Sequence, residues 1–503
     1  MSARDVQERY RRVLDRGAEL ADLTSAEALL GWDQETKMPK KGVEGRSRVS
    51  ATLAGLSHDK MTDPRLREDL EALSGNGGGL DPDARALVKE FLRLADRAAR
   101  VPGDLVREMA ELESVAAARW AEAREAKDFD RFAPFLERVV ALKRRQAEAL
   151  GYEDEPYDAL LENFEPGVLT LDAARTLNAL RDFLVPVVRR IVDQEGPDAS
   201  LLAGPYDAAL QDLFGREVIA AMGFDMEAGR LDLSAHPFTS GIHLGDVRLT
   251  TRYKDDLSVG LFGTIHEAGH GLYEQNLPAD HRRDPLGQAT SLGLHESQSR
   301  LWENMVGRGR PFWTHFYGRL RALFPDRLGN VPLEAFYRAV NVVRPSFVRI
   351  EADEVTYNLH IIVRFELERA ILSGDVEARD LPEAWNAKVR EYLGIVPPTP
   401  DLGVLQDIHW SMGLVGYFPT YTLGNLYGAQ LFEAALRDVP DLEDRIARGD
   451  LLTLRDWLVE NVHRWGRRHR AVEVVERVSG KPFTIDAFSS YVKRKYGEIY
   501  DLS

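Results

Sequence analysis

The chain has 503 residues, well past the length at which one compact core usually divides. It is 44% hydrophobic and 29% charged, as a globular protein is, and its net charge of −16 argues against non-specific binding to nucleic acid or an anionic membrane. Cysteine is absent, which excludes disulfides, thiolate ligands and cysteine nucleophiles, so any metal must be held by histidine, carboxylate or carbonyl groups.

The N-terminal MSARDVQERYRRVLDRGAEL reads as a charged amphipathic helix without the apolar stretch of a signal peptide, and no run is apolar enough to cross a bilayer. A soluble cytoplasmic enzyme or binding protein is the expectation. From Ala84 to Ala126 apolar residues recur at three and four with charges between, the pattern of helices. GNGGGLDPD (75–83) and FEPGVLTLD (164–172) interrupt this pattern. Helical segments follow at Thr170 to Gln194, Pro205 to Met222, Pro332 to Val340, Leu381 to Leu393 and through the C-terminus. HPFTSGIHLGDVRLTTRYKDDLS, from His236 to Ser258, differs: its β-branched residues and period-two hints around Gly245-Asp246 predict a hairpin or small sheet edge. The expected fold is mainly α with a minor antiparallel β element. Residues 1–235 precede the chemistry, 236–430 supply it and 431–503 are packing helices, all within one catalytic domain.

That β segment runs into TIHEAGH, Thr264 to His270, with Asp255, Asp256 or Ser258 available as helix cap. On a helix, positions i and i+4 differ by about 40° of rotation and about 6 Å of rise. His266 and His270 therefore share a face and can reach one metal ion, while Glu267 can address a water on that ion without being a ligand. Four glycines, Gly260, Gly263, Gly269 and Gly271, interrupt an otherwise apolar helix, and each costs up to about 1 kcal/mol relative to alanine. Close approach of another backbone or a ligand explains them. The third ligand should come from SLGLHESQSRLWENMVGRG, where His295 and Glu296 are adjacent and spacing does not choose between them.

HPF at His236 to Phe238, DVRLT at Asp246 to Thr250, HEAGH, HESQ at His295 to Gln298, RIEAD at Arg349 to Asp353 and GVLQDIHW at Gly403 to Trp410 occur in an order that resembles the carboxypeptidase Taq family of metallocarboxypeptidases. LLGWDQETKMPKKG, Leu29 to Gly42, is similar to that family too. The resemblance implies a two-lobed helical fold with a deep central groove, like that of neurolysin and angiotensin-converting enzyme, and a homodimer. It implies a Zn2+ site, which Co2+ can often serve, with ligands His266, His270 and Glu296 and catalytic carboxylate Glu267. It also implies removal of single C-terminal residues from peptides with broad specificity.

Such chemistry needs a donor for the tetrahedral intermediate. His409, Tyr417 and Tyr421 are the candidates, His409 by its place in QDIHW, with buried core aromatics as the plain account of the tyrosines. Gln406 and Trp410 are candidates for shaping the substrate pocket. A free C-terminal carboxylate calls for a planar arginine fork, and Arg349 is the candidate. Its plain alternative is an i,i+4 ion pair with Asp353. Asp246, Arg248 and His236 read most simply as a hairpin with its own charge pair. The alternatives to a carboxypeptidase are an endo-acting oligopeptidase and a non-catalytic protein whose metal ties helices together.

Overall fold

The periodic runs fold as helices whose ends follow local chemistry. Helix α1 (Ala3–Thr36) starts at a capping box, in which the Ser2 hydroxyl accepts from the Asp5 amide and the Asp5 carboxylate from the Ser2 amide. Its Val6, Val13 and Leu20 face a small core with Leu66, Leu70 and Phe91. The computed structural model describes residues 1–75 and 79–502. Of the expected break at 75–83, residues 76–78 lie outside the described residues; a helix ends at Gly75 and the next begins at Pro82. FEPGVLTLD separates the Pro156–Leu161 and Thr170–Val192 helices, as expected. The helix expected from Pro205 begins at Ala208 because Asp207 caps it, its Oδ1 accepting from the Leu210 amide at 3.0 Å.

Three short strands form one sheet in the order β1-β3-β2: β1 (Gly229–Leu233), β2 (Thr239–His243) and β3 (Asp246–Thr251). The β2–β3 pair is the expected antiparallel hairpin, with a register irregularity between Gly241 and His243. β1 is an addition: it pairs with β3 in parallel, so the sheet is mixed rather than purely antiparallel. Its sequence, GRLDL, alternates charge with leucine, and Arg230 pairs with Asp232 along the strand. β3 is central, and Val247, Leu249, Thr250 and Thr251 have no exposure.

Helix α1 lies along β2, the Ser25 hydroxyl donating to the Ile242 carbonyl at 2.7 Å. Trp32, from the GWDQ motif, packs beneath two guanidiniums, Arg248 at 4.3 Å and Arg230 at 5.0 Å from its ring centre. Arg248 is fixed in turn by Asp246 through two hydrogen bonds of 2.8 and 2.9 Å. The hairpin charge pair is therefore real, and it doubles as a seat for the N-terminal helix. β3 packs on helix α2 (Leu257–Gln275), and α2 on helix α3 (Leu292–Arg300), which continues into a buried π-helical turn, Leu301–Gly307.

The chain forms two compact units, Met1–Ala99 with Ala199–Val340 and Leu431–Pro482, and Arg100–Asp198 with Asn341–Gln430 and Phe483–Ser503. Each of the expected stretches 1–235, 236–430 and 431–503 contributes to both units. The first unit holds the sheet, α2 and α3. At the centre of the second is helix α4 (Thr356–Ser373), which buries Leu359, Ile361, Ile362, Val363 and Leu367 completely and carries the fully buried Arg364 and Glu368. The C-terminal helix, Asp486–Ile499, is pinned to the second unit by Lys495 Nζ and Tyr496 Oη, each 2.5 Å from Glu354 Oε1. Among the described residues no helix is long and apolar enough to cross a membrane.

Candidate active site

Asp256 sets the start of α2, its Oδ1 accepting from the Ser258 amide at 2.8 Å. TIHEAGH then falls in mid-helix, and the His266 and His270 rings emerge on one face with centres 4.9 Å apart. Gly269 makes the next step possible. A Cβ there would lie 2.7 Å from both the Gln298 carbonyl oxygen and Ser299 Cα, so the backbone of α3 touches that of α2. This close approach of the two helices brings Glu296 Oε2 to 3.6 Å from His266 Nε2 and 3.3 Å from His270 Nε2. The ligand atoms of His266, His270 and Glu296 all lie within 4.8 Å of one another. His295 is turned elsewhere: its Nε2 meets Glu274 Oε1 at 2.8 Å and its ring stacks on His270.

Each of these groups is held from behind. His266 Nδ1 lies 2.9 Å from Glu303 Oε2, and His270 Nδ1 lies 3.1 Å from the His295 carbonyl oxygen. Both acceptors call for a hydrogen on Nδ1, which leaves the Nε2 lone pairs facing Glu296. Glu303 stands on the π-helical turn and receives Arg300 and Arg308 at 3.3 Å each. Arg300 Nε also donates to Glu296 Oε1 at 2.7 Å, leaving Oε2 toward the histidines. Burial alone would raise the Glu296 carboxyl, but Arg300 and His266 outweigh it and hold it well below the usual carboxylate range. Burial, followed by the neighbouring His295, pushes His270 down to about 3, so its ring is neutral. His266 moves upward: burial opposes the shift, and Glu296 and Glu303 prevail. Two imidazole nitrogens and one carboxylate oxygen suit a borderline divalent cation, and three protein ligands leave room for water or substrate.

Glu267 is buried beside this cluster, its Oε2 accepting from Thr239 Oγ1 at 2.7 Å. Burial raises its pKa above the ordinary value.

The second unit gathers the other expected residues. Arg349 begins a three-residue 3-10 turn and is buried; its Nε and one terminal nitrogen bind Asp407 Oδ1 at 3.1 and 2.8 Å, and the other donates to Tyr357 Oη at 2.8 Å. The plain ion pair with Asp353 does not form, because the turn ends before i+4 and Asp353 instead caps α4 by accepting from the Val355 and Thr356 amides. Asp407 also receives Arg364, so two guanidiniums share one carboxylate. His409 Nε2 stands 3.3 Å from Tyr421 Oη, and burial pushes the imidazole down to about 4. Tyr417 packs its ring against Phe164, His409 and Tyr421. Both ends of the Gln406 amide are engaged by backbone: Oε1 accepts from the Arg349 amide, and Nε2 donates to the Phe347 and Leu402 carbonyls. Gln406 thus holds the segment that carries Arg349. Trp410 donates its indole hydrogen to Glu368.

An HExxH helix joined by a carboxylate from the next helix, in a mainly helical fold, defines a helical metallopeptidase. The model of the family described as carboxypeptidase Taq (M32) metallopeptidase matches residues 12–496. The chain is 47% identical to thermostable carboxypeptidase 1 of Thermus thermophilus, covering 98% of this chain and 99% of that one. It is 36% identical to carboxypeptidase 1 of Bacillus subtilis, with 96% of each covered. The crystal structure of the M32 carboxypeptidase from Deinococcus radiodurans R1 matches with a TM-score of 0.96 and 40% identity, over 98% of this chain and 100% of that one. The chain belongs to the carboxypeptidase Taq (M32) family of metallopeptidases and is a metallocarboxypeptidase.

Thr239, Arg300, Glu303 and Asp407 were not singled out from the sequence. Arg300 stands at i+4 from Glu296, a spacing that carries the signal for their pair. Glu303 and Asp407 carry a weaker one, and Thr239 none, because its partner is 28 residues away.

Proposed function

We propose that this enzyme is a zinc carboxypeptidase that removes single C-terminal residues from peptides with broad specificity, within one catalytic domain spanning the chain. His266, His270 and Glu296 hold the ion and Glu267 is the general base. What carries the reading is the convergence of two Nε2 lone pairs and Glu296 Oε2 within 4.8 Å, with a buried carboxylate next to them that is not part of that group. Zinc, when bound, lowers the pKa of water to about 7 and polarises a carbonyl, and Co2+ can serve in the same donor set.

Glu267 takes the proton of the attacking water and hands it to the leaving amine. Neutral His409 and the Tyr421 hydroxyl are hydrogen-bond donors suited to the negative charge that develops on the scissile carbonyl oxygen, and Tyr417 is an aromatic contact for the substrate. Arg349 reads the terminal carboxylate. Support for that role comes from the pairing of two guanidiniums with the single Asp407 carboxylate, which leaves positive charge for a second anion. The homodimer rests on family resemblance alone; a monomeric mass for active enzyme by light scattering would remove it.

Glu267→Gln is the test. It should retain metal, measured by elemental analysis, and lose nearly all turnover of a peptide followed by mass spectrometry. Normal turnover with metal bound would end the proposal. In the wild-type enzyme the same spectra should show stepwise loss of one terminal residue, whereas an internal break would make it an oligopeptidase. Arg349→Ala should impair free-acid peptides far more than C-terminally amidated ones, and equal impairment would rule out carboxylate recognition.

A further inference from the structure

The HPF and DVRLT segments are tied to each other through Phe238 and Thr250, and the residue that follows HPF, Thr239, reaches Glu267. Thr239, the residue after HPF, opens β2 and is half-buried. Its Oγ1 lies 2.7 Å from Glu267 Oε2 and 3.0 Å from the Glu267 carbonyl oxygen. A threonine hydroxyl has one hydrogen to give, and the carboxylate is both the nearer and the stronger acceptor.

The hydroxyl is itself well placed. Thr250, the last residue of DVRLT, is fully buried, and its Oγ1 accepts from the Phe238 amide at 2.8 Å. The backbone repeats the tie, with the Thr250 amide donating to the Phe238 carbonyl at 2.9 Å. The residue before Thr239 is thus clamped to the central strand, and that strand packs on the helix that carries Glu267. β-branching narrows the rotamers open to Thr239.

We infer that Thr239 is a positioning residue for Glu267, which fixes carboxylate Oε2 from the sheet side so that Oε1 is the atom that accepts the proton of the attacking water. The same hydrogen bond serves before and after transfer, because Oε2 remains an acceptor when the proton sits on Oε1. Thr250 acts one step further back by holding the strand. The inference deepens the general-base reading of Glu267 and rests on it.

The test compares Thr239→Val, which keeps the shape without the hydroxyl, with Thr239→Ser, which keeps the hydroxyl, each alone and with Glu267→Gln. Thr239→Val should lower kcat by about 10- to 100-fold, the worth of one hydrogen bond to a charged group. KM should stay within about threefold and metal content should be unchanged. Thr239→Ser should recover most of the lost kcat, and Thr239→Val should add no further loss to Glu267→Gln. Wild-type kcat in Thr239→Val would overturn the inference. So would a serine variant as impaired as the valine one, or an equal further loss in the Glu267→Gln background, since both mark a packing role. If Glu267→Gln alone turns over normally, the general-base reading fails first, an outcome distinct from an inactive Glu267→Gln beside a fully active Thr239→Val.

Discussion

Glu303 bears on His266 from the side remote from Glu296, and its value lies in direction rather than contact with any substrate. By accepting from His266 Nδ1 it fixes the tautomer and the ring plane, and against burial Arg300, that hydrogen bond from His266 and Arg308 together push its pKa down to about 2. Glu303→Gln should weaken metal binding by about 10- to 100-fold, as loss of an orienting carboxylate does. Competition with a chromogenic chelator reads this directly, and an unchanged affinity would take Glu303 out of the metal site. At this scale HEAGH was legible because helical spacing alone puts both imidazoles on one face. Glu296 was legible only as one of a pair with His295, because the choice depends on where α3 touches α2. Asp353 misled as the partner of Arg349, since the i+4 rule presumes a continuous helix and the chain there makes a short 3-10 turn.

At the level of the element, the glycines of α2 separate into those that matter for packing and one that does not. Gly269 meets the backbone of α3, and a Cβ on Gly271 would lie 2.7 Å from both Leu249 and Phe224. A Cβ on Gly263 would find only Thr251 Oγ1, at 4.0 Å. Gly269→Ala should therefore destabilise by about 1–3 kcal/mol through overpacking and weaken metal binding by pushing Glu296 away. Gly263→Ala should be neutral or stabilise by up to about 1 kcal/mol from helix propensity. Denaturant midpoints of the two variants check the contrast, and equal losses would refute the packing account. The helices and the β2–β3 hairpin were readable from period and turn residues. β1 was not, because a five-residue edge strand with two charges has too little pattern to distinguish it from a loop.

Across the whole molecule, the order of packing departs from the order of the chain. Each compact unit is assembled from three separated stretches, a fact set by long-range contacts to which local periodicity is blind. The second unit also contains a titration that should be visible in its stability. Glu368 is fully buried among Tyr157, Trp410 and the Gly416 amide, and burial outweighs these three donors to raise its pKa from 4.5 to about 7. Between those values the folded chain keeps a proton that the unfolded chain has released. Its stabilising contribution is thus complete below the unfolded pKa and is lost as pH rises through about 7, by up to about 3 kcal/mol. Glu368→Gln should flatten that decline in denaturant midpoints measured from pH 4.5 to 8. Parallel curves for wild type and variant would show that Glu368 titrates normally.

The buried π-helical turn after α3 carries a further consequence. A π-turn holds about one residue more than an α-turn, so it works as an inserted residue that shifts the phase of everything after it. Glu303 lies inside the turn and Arg308 just beyond it. The two are five positions apart, which an ordinary α-helix would turn about 140° from each other, whereas the i→i+5 repeat of the π-turn sets them one above the other, so that Arg308 reaches the Glu303 carboxylate. Substitutions that tighten 301–307 into an α-helix at unchanged length should therefore part Arg308 from Glu303, whereas loss of one residue between them would leave the pair at i,i+4 on a single face.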